Sequence, residues 1–472
     1  MSSLKRIVLP IGFALVCLVL LVASLAAEVG AGNSADIILS FAEPSARTFE
    51  DRQLALAATQ AQIINDANIE PSAIIHQYET LPLLALTVDA ATLAQLQQNP
   101  AILSIEPDLP LQSHLPEAVP GTGAAYVHDT FAVKGTDVRV AVFDSGLQGN
   151  HSDFSISRTI AQRCFTDGDC FVEGSGFTAN SSGSAEDNNG HGTNVTGIIA
   201  SNGTKTIPGF APEAKILSFR VLDRDAKGRL SDLVAGIDWL INNILNSTND
   251  AVKPRLVNIS LGVAPSQLTD SGVPTGLHNA SCDTYSTAVD MAIDDLHSRG
   301  LILFASAGND GSNSSITLPA CHSKVIAVGA SYDSNIGMQP SSSGTYSSTY
   351  GAGWGDCTDA TTSATTVACF SNSNDQVDLI APGAKIVASG LMSSTSMYAG
   401  TSQAAAVATG IAALMLDVDP TLTQAQLLHV MTRTATTVVD PKASNMTFPL
   451  INARAAVEAV LPKIYMPMVS GP

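Results

Sequence analysis

The sequence predicts an α/β protein: a mostly parallel β-sheet with helices on both faces, preceded by a small α+β domain. Three observations carry this. From Val138 onward, near-continuous apolar runs recur at 138–143, 216–221, 256–259, 301–305, 325–328, 377–380 and 386–388. Several are separated by segments with apolar residues on one helical face, such as Leu233, Val234, Ile237, Leu240 and Ile241. Strands apolar on both faces with amphipathic crossovers are what a buried parallel sheet demands. Residues 35–108 read differently, as β-α-β-β-α-β, the split βαβ order of a small independent domain.

In that first domain, residues 37–41, 73–78, 83–88 and 102–105 are strand-like, and 48–64 and 90–98 are helical in pattern. Pro107, Pro110, Pro116 and Pro120 then punctuate a linker. Farther on, a helix carrying Val289, Ile293 and Leu296 stops at Gly300, and the Ser/Thr/Gly-rich stretch 333–374 reads as a long surface loop. Residues 404–414, small and almost all apolar, form a buried helix that begins at Ser402. No function is legible in the tail, residues 463–472.

The 472 residues, 45% hydrophobic and 14% charged, allow one large core or two to three domains. A net charge of −19 argues against nucleic acid, whose phosphates need clustered Lys and Arg. It suits a soluble exported protein and favours basic substrates at low salt. Residues 1–27 have Lys5 and Arg6, an apolar run and then Ala23-Ser24-Leu25-Ala26-Ala27, the pattern of a cleaved secretory signal. The competing reading is an uncleaved anchor, because the run approaches the roughly 20 residues that span a bilayer. The expected location is extracellular, with no membrane contact once the signal is removed. Cys17 lies in the signal, and the other six cysteines of an exported chain imply disulfides. Sequence neighbours pair Cys164 with Cys170 and Cys357 with Cys369, and elimination pairs Cys282 with Cys321.

Chemistry concentrates in four short motifs. Asp144 closes an apolar strand in Phe143-Asp144-Ser145-Gly146. His191 stands in Asn189-Gly190-His191-Gly192-Thr193 just before an apolar segment. Asn309 lies in Ala305-Ser306-Ala307-Gly308-Asn309-Asp310 after another strand, and Ser402 lies in Gly400-Thr401-Ser402. Each motif alone is more often an ordinary turn or helix cap. Together they supply what acyl transfer needs. Serine requires a base within hydrogen-bond reach, and histidine serves when a carboxylate fixes its tautomer. The Asn309 amide and the Ser402 N–H could share the developing oxyanion.

These motifs resemble the subtilase family of serine proteases, whose Asp-His-Ser order and oxyanion asparagine are established in subtilisin. The resemblance extends through Gly209-Phe210-Ala211-Pro212, Asn258-Ile259-Ser260-Leu261-Gly262 and Ala381-Pro382-Gly383. It covers about residues 137–460. More weakly, residues 35–108 are similar to the family's inhibitory propeptide. The chain departs from the family after the nucleophile: Gln403-Ala404-Ala405-Ala406-Val407 stands where Met-Ala-x-Pro-His is usual.

The resemblance implies a signal peptide (1–27), a propeptide (28–114), a catalytic domain (115–462) and the tail. It implies a secreted, self-processed, monomeric endopeptidase that acts on polypeptides and is inhibited by its own propeptide. Asp144, His191, Ser402 and Asn309 would be catalytic. The pocket before the scissile bond would be walled by Ser260, Leu261 and Gly262 on one side and Ala307 and Gly308 on the other. Its glycines leave room for large apolar side chains, with Asp310 at the rim for basic ones. The chemistry needs no cofactor and no metal ligand is assigned, although Asp153 matches a position that often binds structural calcium in the family. The alternative reading is an inactive subtilase fold serving as a binding module. An α/β-hydrolase esterase is disfavoured because its serine precedes its histidine in the chain. The sequons at Asn194 and Asn258 fall on segments expected to be buried.

Overall fold

The computed structural model describes residues 34–42, 49–77, 82–107, 118–119, 121–166, 170, 185–263, 276–335, 348–350 and 357–462. The signal segment, the tail and most of the Pro-rich linker lie outside the described residues. The chain divides into two compact units, residues 1–112 and 113–472.

The first unit contains β1 (Ala35–Phe41), α1 (Phe49–Asp66), β2 (Ile74–Gln77), β3 (Leu83–Val88), α2 (Ala90–Leu96) and β4 (Ile102–Pro107), in the order the sequence predicts. Its sheet, β2-β3-β1-β4, is antiparallel throughout. Ile37, Leu39 and Phe41 alternate along β1 and meet Leu56 and Ile63 of α1 in a small core. Asp89 caps α2 by accepting the Thr92 N–H.

The second unit is built on nine strands. They are β5 (Arg139–Asp144), β6 (Thr159–Cys164), β7 (Lys215–Arg220), β8 (Leu256–Ile259), β10 (Ile302–Ser306), β12 (Ile326–Ser331), β15 (Leu379–Pro382), β18 (Thr436–Asp440) and β19 (Met446–Leu450). Small antiparallel pairs lie outside that sheet: β9 (Leu277–His278) with β11 (Ile316–Thr317), β13 (Ser348–Tyr350) with β14 (Cys357–Asp359), and β16 (Ile386–Gly390) with β17 (Ser394–Tyr398). The large sheet runs β18-β19-β15-β12-β10-β8-β5-β7-β6 and is parallel except for the β18–β19 hairpin.

Helices α3 (Ala124–Phe131), α4 (His191–Ala200), α5 (Leu230–Leu240), α6 (Thr287–Ser298), α7 (Thr401–Val418), α8 (Gln424–Thr434) and α9 (Ala453–Val460) complete the unit. Strand β5 shows why its sequence is apolar at every position. Val140 and Val142 enter the core shared with α4 and α7, whereas Ala141 and Phe143 enter the opposite core with α5 and α6. Among the described residues, α7 is the one helix long and apolar enough to cross a membrane, and it is buried inside the protein.

One expectation changes. Residues 367–374 are not a surface loop: Ala368, Phe370, Ser371, Asn372 and Ser373 are all buried. Ser, Thr and Asn mark a turn when exposed, but here their polar atoms are satisfied internally, as where Ser371 Oγ accepts the Ala330 N–H. The buried Asp153 carboxylate accepts from the Lys205 N–H, Thr206 Oγ and Ser389 Oγ.

All three disulfides form in the pairing read from the sequence: Cys164–Cys170, Cys282–Cys321 and Cys357–Cys369. Asn194 and Asn258, the sequon asparagines, are fully buried.

Candidate active site

Asp144 is the last residue of β5, Ser260 follows β8, and Ser306 ends β10; these three strands are neighbours. After β5 the chain builds β6 and β7 on one side and then β8 onward on the other. The carboxyl ends at such a switch point form a crevice in open α/β sheets. Side chains from three loops and two helix starts converge there.

His191 opens α4, and its Nδ1–H donates to Asp144 Oδ1 at 2.7 Å. Asp144 is almost fully buried while His191 keeps 18% exposure. The same carboxylate oxygen also accepts the Ser145 N–H at 2.7 Å. Gly192 makes the contact feasible, since a Cβ there would lie 2.2 Å from the Gly146 oxygen and 3.2 Å from the Asp144 Cβ. Burial lowers the imidazole pKa, but the Asp144 charge, its hydrogen bond and the Asp187 charge prevail, holding it above the ordinary 6.5.

Asp187 was missed in the sequence. Its buried carboxylate accepts from Ser145 Oγ, from the N–H groups of Asn189, Gly190 and Thr193, and from Thr193 Oγ. It thereby caps the start of α4 and places a negative charge at the helix's positive end. The available signal was an acidic residue four positions before a histidine that opens a helix, and it is easily lost in the polar run 181–190.

Ser402 is the second residue of α7, and Gly400 precedes the helix in extended backbone. Among the described residues its N–H has no acceptor, as expected for a first-turn amide. Its Oγ donates to the Ser260 oxygen at 3.0 Å, and no hydrogen bond joins it to His191. Asn309 Oδ1 accepts from the Thr401 N–H at 2.9 Å and from Thr401 Oγ at 3.0 Å. A backbone N–H can face only the oxygen of that amide, so the Asn309 Nδ2 donors are left for another acceptor. Thr401 Oγ in turn accepts the Gly308 N–H.

The segments expected to wall the substrate slot, Ser260 to Gly262 and Ala307 to Gly308, follow the neighbouring strands β8 and β10. A Cβ on Gly262 would meet Thr317 Oγ at 2.5 Å, and one on Gly308 would meet Thr317 Cγ2 at 2.7 Å. The Thr317 side chain, buried and donating to the Ser306 and Ala307 oxygens, lies against both of the glycines from which the sequence reads a roomy slot. Asp310 is not a free rim charge. Its Oδ2 accepts from Asn372 Nδ2 at 2.8 Å, and burial pushes its carboxyl up. Leu261 and Gly262 also line a cavity of about 310 Å³, together with Val221, Leu222, Leu230 and Leu233.

A carboxylate–imidazole pair and a serine at a helix start, gathered at the carboxyl ends of a parallel sheet, define the layout of a serine hydrolase. Residues 135–447 match the family model described as "Subtilase family". The chain is 28% identical over 393 residues to the minor extracellular protease Epr of Bacillus subtilis (strain 168), covering 79% of this chain and 48% of Epr. It is 28% identical over 367 residues to Subtilisin E of the same strain, with coverage of 76% and 77%. It is 26% identical over 410 residues to the thermostable alkaline protease of Halalkalibacterium halodurans, with coverage of 86% and 92%. A solved cold-adapted subtilisin-like serine proteinase aligns at 25% identity and TM-score 0.48, covering 68% of this chain and 90% of that one. This chain thus spans about half the length of Epr. The chain belongs to the subtilase family of serine proteases.

Proposed function

We propose that this chain is an exported serine endopeptidase made as a proenzyme, in which residues 28–114 inhibit residues 115–462 until cleavage between them. Ser402 Oγ attacks the peptide carbonyl while His191 Nε2 takes its proton and later gives it to the leaving amine. Asp144 orients the imidazole and stabilises its cation, and Asn309 Nδ2 with the Ser402 N–H receives the oxyanion. The mature enzyme works as a monomer on polypeptides. Export is supported by the signal-like residues 1–27 and by three disulfides.

The observation that carries the reading is the 2.7 Å contact between His191 and the buried Asp144. Because Thr317 shortens the slot between Gly262 and Gly308, the residue before the scissile bond is small, with Ala or Ser favoured over Phe or Tyr. One observation favours the rival, an inactive binding module: the Ser402 hydroxyl rests on Ser260 rather than on His191. Catalytic hydrogen bonds often tighten only when substrate arrives, so resting geometry does not decide the matter. A fluorophosphonate probe does. Labelling of the mature protein at Ser402, lost in His191→Ala, is expected; a wild-type protein that stays unlabelled would leave the binding module as the function.

A further inference from the structure

Gln403, the residue that departs from the family pattern directly after the nucleophile, is almost fully buried at the start of a helix otherwise lined with Ala, Val, Ile and Leu. A buried amide on such a face is costly unless it is hydrogen-bonded. Its Nε2 donates at 3.3 Å to Oδ1 of Asn194, which is itself fully buried. Asn194 lies three residues after His191, on the same side of α4. Asn194 Nδ2 donates to the Ser396 oxygen at 2.9 Å and to Ser396 Oγ at 3.1 Å. A carbonyl can face only the nitrogen of an amide, so Asn194 must turn its oxygen to Gln403, and Gln403 must be the donor. Ser396 belongs to β17, whose last residue, Tyr398, meets the His191 ring edge-on at 5.6 Å. Farther along, α4 and α7 are held by packing, where a Cβ on Gly410 would sit 3.7 Å from the Ile199 Cα.

We propose that Gln403 is a positioning residue: its bond to Asn194 fixes the start of α7, which carries Ser402, against the start of α4, which carries His191. The inference rests on the triad reading above. The two helix starts arrive from strands far apart in sequence, and no other side-chain hydrogen bond joins the two helices among the described residues. A lateral slip between them would change the nucleophile-to-base approach directly. Such slips reduce turnover far more than binding.

The test uses mature enzyme with active sites titrated by fluorophosphonate. Gln403→Met, similar in volume but without a donor, should lower kcat roughly tenfold with KM within about twofold, short of the hundredfold a 1 Å misplacement can cause. Combining it with Asn194→Val, which also removes the bonds to Ser396, should cost no more than the worse single change, because the Gln403–Asn194 bond is already lost in either. Gln403→Glu supplies a variant that keeps shape and switches the donor. Its acid form donates an O–H to Asn194 and its carboxylate cannot, so the ratio of variant to wild-type kcat should fall as pH rises. Unchanged kcat in Gln403→Met, an additive double variant, or a Gln403→Glu ratio flat with pH would overturn the proposal. An unlabelled wild type would instead remove the triad reading, and this inference with it.

Discussion

Ser402 Oγ donates to the main-chain oxygen of Ser260 at 3.0 Å, and Ser260 Oγ donates back to the main-chain oxygen of Ser402 at 2.8 Å. The reciprocal pair is backed by Asn258, whose Nδ2 donates to Ser260 Oγ and whose Oδ1 accepts from Thr409 Oγ two turns along α7. Helix α7, which carries Ser402, is thus pinned to β8 by a buried polar chain. Ser260→Ala should lower stability by about 1–3 kcal/mol, because buried groups lose their partner. Equilibrium denaturation read at constant slope measures this, and an unchanged midpoint would show that the chain is incidental.

Ser402→Ala should abolish hydrolysis and also leave residues 28–114 covalently attached. The linker is Pro-rich, a composition that favours extended backbone and would suit it to lie as a peptide in the site of its own domain. Cleavage in the wild type is expected between Leu111 and Ala118. N-terminal sequencing of the purified variant checks this, and maturation to the wild-type N-terminus without any added protease would exclude self-processing.

How much of this was legible in the sequence depended on whether a residue's role was local. Asp144 at a strand end, His191 before an apolar helix and Ser402 at the head of small residues each carry a local pattern, as do the apolar runs of the sheet. The alternation that sends Val140 and Phe143 to opposite cores follows from strand geometry alone. Thr317 and Asp187 carry no such pattern. Thr317 matters because β11 happens to pass between two glycines from other loops, and Asp187 because the polar run before His191 folds back on it. Asp153 is another case: the resemblance marks its position, and only the fold shows that Thr206 and Ser389 donate hydroxyls to it.

The acid limb of kcat/KM should have its midpoint above 6.5. As the proposed base, His191 would act only when neutral, and Asp144 and Asp187 hold its pKa above that ordinary value against the opposing effect of burial. Activity therefore rises as pH increases through the raised pKa. Asp144→Asn should move the midpoint down, since the charge that raises it is gone. It should also lower kcat roughly 10⁴-fold, the size established in other triad proteases and adopted for this one. A pH–rate profile with the same midpoint in both enzymes would detach the limb from His191.

Asn309→Ala should lower kcat by about 10²–10³ with KM nearly unchanged, the value established for the equivalent donor in subtilisin and adopted rather than deduced. Thr401 adds a condition to this expectation. It holds the Asn309 oxygen through both its N–H and its hydroxyl, so the amide's direction is set before substrate arrives. Thr401→Val keeps the N–H contact and removes the hydroxyl one, and should give a smaller loss in the same parameter. Steady-state kinetics on one peptide distinguishes them; a larger effect from Thr401→Val than from Asn309→Ala would reverse the assignment.

Asp187→Ala should cost about 2–4 kcal/mol, because several buried donors at the start of α4 lose their acceptor together. Part of the effect should reach His191, whose pKa falls when that nearby charge is removed. Thermal unfolding and the acid limb should therefore both shift, the limb downward. Lower stability with an unmoved limb would make Asp187 a helix cap alone.

Under the proposed function, Thr317 should decide which residue the enzyme accepts before the scissile bond. Its side chain touches both glycines that would otherwise open the slot, and it is buried, so a large side chain cannot push it aside cheaply. Thr317→Gly removes that obstruction and leaves the walls at Leu261 and Ala307 in place. Each further methylene that the enlarged slot buries adds about 0.8 kcal/mol. The preference should swing from Ala toward Phe or Leu by roughly 10–200-fold in kcat/KM, the combined gain of a few such methylenes. The variant also loses the hydroxyl bonds to the Ser306 and Ala307 oxygens, which costs about 1 kcal/mol of stability and should appear as a lower unfolding midpoint. Cleavage of a peptide library by both enzymes measures the swing. If wild type already prefers Phe, or if Thr317→Gly leaves the profile unchanged, the specificity is set elsewhere in the cleft and Thr317 only fills space.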